Sequence, residues 1–406
     1  MTFQLICGIV AATMGSLLAG YHLGIISGAL CAISKEFRLS IFEQQGCVTI
    51  LIAGALLGAL LTGPLASKLS RKQLLIFIFV LFLAGMLLLV QSPTYTVVLI
   101  GRFIAGLGVG LAFTVSPFYI AEISPAERRG SFVFLTSLAM TAGIFIAYLV
   151  SYAYAPCSEW RRLISWSLIP LAIQIVALWY APKASRPHTE RRFRWEQIAN
   201  PDLRRPLLIG IVIAIAQQLG GVNAIIFYGP HIFQTVGYQN METALLATVV
   251  IGAVNVVTTL VAVFLIDRLG RRPLLLTSLA GMAITLIVLS CSLFASSSIM
   301  KEIPAAAIVL YIAFFAIGLG PITWLLLTEI YPKEARAEAM GIAAFTNWLS
   351  NIFISMTFLS FSNWVGAPSV FFCYAIVCLG TFWFVWKLLP ETRGKTFEEI
   401  EKLWKR

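Results

Sequence analysis

Near the middle of the chain the sequence reads Gln217-Gln218-Leu219-Gly220-Gly221-Val222-Asn223, followed at once by Phe227-Tyr228-Gly229-Pro230. Carboxamides inside an apolar stretch are costly unless they face a polar cavity or each other. A carboxamide both donates and accepts while carrying no charge, which matches a neutral ligand bearing several hydroxyls. Aromatic faces beside it would pack on the C–H side of such a ligand. Gln217 and Asn223 lie six residues apart, about 600° around a helix, so a straight helix would point them apart. The glycine pair predicts a bend that lets both reach one space. Further on, Gly318-Leu319-Gly320-Pro321-Ile322-Thr323-Trp324 predicts a second bend beside an indole, and Asn255 and Asn347-Trp348 add two more amides. Amide pairing between helices is the competing reading.

A second set of residues is charged and repeated. Glu122-Ile123-Ser124-Pro125 with Arg129 recurs 207 positions later as Glu329-Ile330-Tyr331-Pro332 with Arg336. Ser67-Lys68-Leu69-Ser70-Arg71-Lys72 recurs 200 positions later as Asp267-Arg268-Leu269-Gly270-Arg271-Arg272. Opposite charges at helix ends can pair, so Arg71, Glu122, Arg129, Asp267, Arg271, Glu329 and Arg336 are candidates for a gate that holds two halves together on one membrane face. Solvated charges that merely fix topology are the alternative. The three histidines, His22, His188 and His231, are far apart. No spacing of His, Cys, Asp or Glu suggests a metal or a nucleophile, so neither a cofactor nor an enzyme is expected.

The elements that carry these residues follow from composition. Of 406 residues 59% are apolar and 12% charged, with mean hydropathy +0.89. A soluble domain would carry about 25% charge, which excludes a soluble enzyme, a disordered chain and a nucleic-acid binder despite the net +11. Outer-membrane barrels alternate polar and apolar residues and lack long apolar runs. Roughly 240 apolar residues supply about twelve helices of roughly 20 residues each. The runs fall at 5–32, 46–66, 73–91, 96–121, 131–153 and 161–181, then, after a polar stretch, at 206–234, 244–266, 273–295, 304–328, 338–360 and 368–389. The expected domains are a six-helix bundle over 1–181, a short basic linker over 182–205 and a second six-helix bundle over 206–406. With both termini cytoplasmic, 23 of the 29 Lys and Arg fall on cytoplasmic loops and five outside, which fixes the orientation by the positive-inside rule. The basic loops then lie against anionic lipid, and nucleic acid is not a partner.

Two parallel six-helix repeats are the plan of alternating-access carriers. Over nearly its whole length the chain resembles the sugar porters of the major facilitator superfamily. The resemblance rests on Gly101-Arg102 through Glu122 to Gly130, Gln217-Gln218 through Asn223, Asp267 to Arg272, Gly320-Pro321 through Trp324 and Glu329, and Pro390-Glu391-Thr392-Arg393-Gly394-Lys395-Thr396. It implies an all-α membrane protein of twelve transmembrane helices that moves a monosaccharide, hexose or pentose, across the cytoplasmic membrane, by facilitated diffusion or proton symport; nothing in the sequence demands an oligomer, so a monomer is expected. By the same resemblance Gln217, Gln218, Asn223, Asn255, Trp324 and Asn347 fall on sugar-contacting positions, and Phe227 and Trp348 on aromatic ones.

The chain also departs from that pattern. Ser137 stands where a sugar-binding Gln is usual, Ser67 and Ser70 replace the family's Asp and Gly, and the signature after the sixth segment is reduced to Pro182-Lys183-Ala184-Ser185-Arg186. His22 replaces the aspartate that, in proton-linked members, pairs with the arginine matched here by Arg102. Three roles are open to it. A neutral imidazole could accept a hydrogen bond from Arg102 and favour facilitated diffusion, with no proton as partner. Histidine could instead carry the proton, being the side chain that titrates near neutrality. Or His22 could pack near Gly20 and Gly24 while Arg102 snorkels outward. A drug/proton antiporter would need a glycine- and proline-rich fifth segment, where 131–153 offers only Gly143, and a non-transporting sugar sensor would signal through long tails.

Overall fold

The computed structural model describes residues 3–125, 128–154, 159–182, 201–295, 302–332, 335–395 and 399–400. Among these, twelve helices are long and apolar enough to cross a membrane. They are Phe3–Phe37, Ile41–Lys68, Arg71–Val90, Tyr95–Ile123, Gly130–Ala153, Trp160–Tyr180, Leu203–Val236, Met241–Ile266, Arg271–Phe294, Glu302–Ile330, Glu338–Val365 and Ala367–Leu388, numbered here as spans 1 to 12. Every apolar run read from the sequence lies inside one of them to within a residue. Lipid offers no hydrogen bonds, so a spanning backbone must satisfy itself within the helix. Polar caps then extend the helices past their apolar runs. Ser40 with Glu43, and Ser70 with Gln73, form capping boxes that start spans 2 and 3.

The chain packs as two compact units. The first comprises Met1–Glu190 with Ile226–Pro230 and Asn240–Gly252, and the second Arg191–Ile225, His231–Gln239 and Ala253–Arg406. Of the expected linker, 183–200 lies outside the described residues, and 201–205 already belongs to the helix Pro201–Leu219.

In the first unit, span 1 meets span 5 backbone to backbone. A methyl on Gly20 would sit 1.9 Å from the Met140 carbonyl oxygen, and one on Gly143 2.1 Å from that of Leu17. Small residues of this kind replace the hydrophobic drive that lipid removes. At one end of the unit, Glu36 accepts from both terminal nitrogens of Arg161, at 2.7 and 2.8 Å, and from the Trp160 indole at 2.7 Å. Tyr148 of span 5 donates to the Ile226 carbonyl at 2.9 Å, which ties Ile226–Pro230 to this unit.

Three spans are broken. Span 7 consists of Pro201–Leu219 and Val222–Val236, and span 10 of Glu302–Ile317 and Leu319–Ile330, so both bend where their glycines predicted. Gly221 adopts φ 92°, and a Cβ there would fall 2.2 Å from the Tyr374 ring. Only glycine satisfies both constraints. The break in span 6, between Trp160–Ser165 and Leu168–Tyr180, has no glycine behind it. Pro170 accounts for it, because its ring and missing N–H end the helical bonding to Trp166 yet suit the first turn of a new helix. The Leu163 carbonyl beside this break accepts from the Tyr21 hydroxyl.

Candidate functional site

Four of the predicted amides meet at the bend of span 7, inside the second unit. Asn347 of span 11 donates to the Gln217 side-chain oxygen at 2.8 Å and to the Ala214 carbonyl at 2.9 Å. Its own oxygen accepts from Gln218 at 3.0 Å, and Asn223 donates to the Gln218 oxygen. Gln217 spends its nitrogen on the carbonyls of Leu319 and Gly320, at 3.2 and 3.0 Å. Past the bend, Asn223 folds back onto Gln218, the neighbour of Gln217. Gln217, Gln218 and Asn347 are buried, whereas Asn223 is half-buried. The pairing between helices that the sequence offered as one reading of the amides is present, Gln218 with Asn347 and Asn347 with Gln217, and Asn223 is the least buried member of the set. A hydroxylated ligand can enter such a set by exchanging one neutral hydrogen bond for another, leaving no charge uncompensated.

Of the aromatic candidates, Phe227 and Trp348 neighbour this cluster in sequence, and Trp324 follows the break in span 10. Phe227 and Trp348 are buried and Trp324 is half-buried. Backbone geometry at Tyr228 is non-helical, φ −114° and ψ 19°, two residues before Pro230. The other two polar candidates stand apart. Asn255 is buried on span 8 but shares none of these hydrogen bonds, and Ser137 is exposed on span 5 of the first unit.

The charged candidates include two similar ion pairs at helix ends, one in each unit. Arg71 bonds Glu122 at 3.0 Å in the first, and Arg271 bonds Glu329 through two nitrogens at 3.0 and 3.1 Å in the second. Thr392 donates to the other oxygen of Glu329 at 2.6 Å. Arg336 donates to the Tyr331 carbonyl at 3.1 Å. The side chains of Arg129 and Asp267 lie outside the described residues. Sequence reasoning missed what Glu391 does. Its carboxylate accepts from the backbone N–H groups of Arg271 and Arg272, at 3.0 and 2.9 Å, and so caps span 9 from 120 residues away. The signal was present in the motif Pro390 to Gly394, but not the partner.

His22 and Arg102 correct two readings, the outward snorkelling of Arg102 and the hydrogen bond from Arg102 to a neutral His22. Arg102 is 3% exposed and its Nε donates to the Cys47 carbonyl at 2.7 Å, so it does not snorkel outward. The His22 imidazole does not accept from it. That ring lies flat on Phe82, centroids 5.3 Å apart and planes 1° from parallel. Among the described residues neither of its buried nitrogens has a hydrogen-bond partner.

The chain as a whole is similar to known proteins. A family model described as "Sugar (and other) transporter" matches residues 7–187 and 183–404. The glucose transporter GlcP of Staphylococcus epidermidis is 34% identical over 97% of this chain and 95% of its own length. A galactose-proton symporter of Escherichia coli is 31% identical over 99% and 94% respectively. Among solved structures, the inward open conformation of the xylose transporter XylE from E. coli superposes with a TM-score of 0.85 at 27% identity, covering 98% of this chain and all of that one.

Proposed function

The chain belongs to the sugar transporter family, and we propose from that premise that it moves a neutral monosaccharide across the cytoplasmic membrane by alternating access. The observation that carries this reading is the uncharged cluster Gln217, Gln218, Asn223 and Asn347 at a bend of span 7, with Phe227 and Trp348 close in sequence. Hydroxyl groups find both donors and acceptors there. The relatives bear names that specify glucose, D-xylose and galactose, which supports a hexose or pentose as substrate. The excess of Lys and Arg on one set of loops supports cytoplasmic termini and the domain plan of two six-helix bundles. The ion pairs Arg71–Glu122 and Arg271–Glu329 lie at the basic ends, where they stiffen the helix ends that must move as blocks.

Transport is by facilitated diffusion on this reading. A proton on His22 would add a charge to a fully buried ring whose nitrogens meet no acceptor among the described residues, and an uncompensated buried charge is expensive. Uptake of radiolabelled hexose or pentose into proteoliposomes tests the activity. An imposed pH gradient, with equal sugar on both sides, tests the coupling. Equilibration without accumulation is expected, and net accumulation that disappears in His22→Ala overturns the facilitative reading.

A further inference from the structure

Spans 7 and 10 are broken close to each other's bonding groups. The break in span 7 leaves the carbonyl of Gly220 without a helical donor. The hydroxyl of Tyr311, in the first half of span 10, donates to it at 2.7 Å. Tyr311 is fully buried. In the other direction Gln217, in the last turn of Pro201–Leu219, donates to the carbonyls of Leu319 and Gly320, the first residues after the break in span 10. Ser278 of span 9 bridges that second break, donating to the Phe314 carbonyl at 2.6 Å and accepting from the Leu319 N–H at 3.0 Å. A Cβ on Gly318 would lie 2.3 Å from the Cβ of Ser278, so the serine is seated in the gap itself.

We propose that Tyr311 is a positioning residue for the sugar site, acting through a reciprocal clasp in which each broken span holds the break of the other. Its hydroxyl sets where Val222–Val236 departs from Pro201–Leu219, and so sets Asn223 against Gln218. Gln217 sets the start of Leu319–Ile330 from the same turn. Both N–H donors of Gln217 are used in the clasp, so a sugar that takes one must release a carbonyl of span 10. Substrate binding at span 7 thereby loosens span 10, and the two bends change together. This role rests on the proposed sugar site at Gln217, Gln218 and Asn223.

The experiment is a double-mutant cycle of Tyr311→Phe and Gln217→Ala, read both as thermal unfolding in detergent without sugar and as sugar Kd by tryptophan fluorescence. Tyr311→Phe removes one hydroxyl and keeps the ring, so a folded protein is expected. Loss of one buried hydrogen bond should weaken sugar binding about five- to tenfold. In the Gln217→Ala background the same change should cost almost nothing further, in either readout. Losses that simply multiply in Kd and add in thermal stability overturn the clasp. A Tyr311→Phe protein that melts earlier but binds sugar like the parent overturns the positioning role. Should Gln217→Ala alone bind sugar normally, the site assignment falls, and with it the positioning role, while the sugar-free unfolding cycle still decides whether the clasp exists.

Discussion

Replacing Gln217 by Glu keeps the shape of the side chain and turns two hydrogen bonds into oxygen–oxygen repulsions. In the parent, the amide nitrogen points at two carbonyl oxygens, those of Leu319 and Gly320, while the amide oxygen receives a donor from Asn347. Gln217→Ala deletes all three bonds, yet the groups left behind keep other partners. The Leu319 carbonyl still accepts from the Thr323 hydroxyl, and Asn347 still donates to Ala214. The expected cost of the alanine is therefore that of a modest hydrogen-bond deletion, about 1–3 kcal/mol. Gln217→Glu retains the Asn347 bond but sets a carboxylate oxygen against two carbonyls, burying a charge whose neighbours repel it. Breaking a buried charged arrangement in this way costs about 3–5 kcal/mol. The glutamate should thus be the worse substitution by about 2 kcal/mol, despite being the closer mimic. Thermal unfolding of the purified protein in detergent, followed by loss of the monodisperse peak in size-exclusion chromatography, ranks parent above alanine above glutamate. Sugar Kd should rise about five- to a hundredfold in the alanine variant. A glutamate variant as stable as the parent would refute the reasoning, since the nitrogen of Gln217 could not then be facing carbonyls.

Three further outcomes follow from the same bonds. Glu391→Ala leaves the N–H groups of Arg271 and Arg272 uncapped, and should lower stability by about 0.5–2 kcal/mol, read as an earlier thermal midpoint that Glu391→Gln restores in part. Gly221→Ala must hold a side chain at positive φ, costing about 1–2 kcal/mol before the overlap with Tyr374 is relieved, so it should melt well below Gly220→Ala. Glu329→Lys removes the partner of Arg271 and Thr392, and a cysteine introduced near the basic ends of spans 9 and 10 should then react faster with a soluble maleimide, with membrane insertion unchanged; an unaltered labelling rate reduces these charges to topology signals.

The spans were legible because hydropathy is a local quantity: each residue is weighed against lipid on its own, and the weights add along the chain. The bends of spans 7 and 10 were legible for a similar reason, since Gly221 and Gly318 stand where no Cβ fits. The bend of span 6 was not, because Pro170 is as compatible with a first helical turn as with a break. The amides were visible as residue types, but their partners were not. Gln218 and Asn347 are 129 residues apart, and only packing decides that they meet. Tyr311 gave no signal at all, as a tyrosine in an apolar span reads as a packing residue until its hydroxyl is seen on Gly220. The Ser67-to-Lys72 motif makes the point most sharply, because it looked like a worn copy of Asp267 to Arg272. Ser70 stands for the family's glycine because it caps span 3 locally, with Gln73, whereas Gly270 leaves span 9 to be capped by the distant Glu391. Two residues on, Lys72 donates to the Ala181 carbonyl at 2.6 Å and Arg272 to the Trp386 carbonyl at 2.6 Å, so each half ties the end of its sixth span to the start of its third. What the repeat preserves is a set of satisfied helix ends. Residue identity is free to change wherever another side chain, near or far in sequence, can satisfy the same backbone groups.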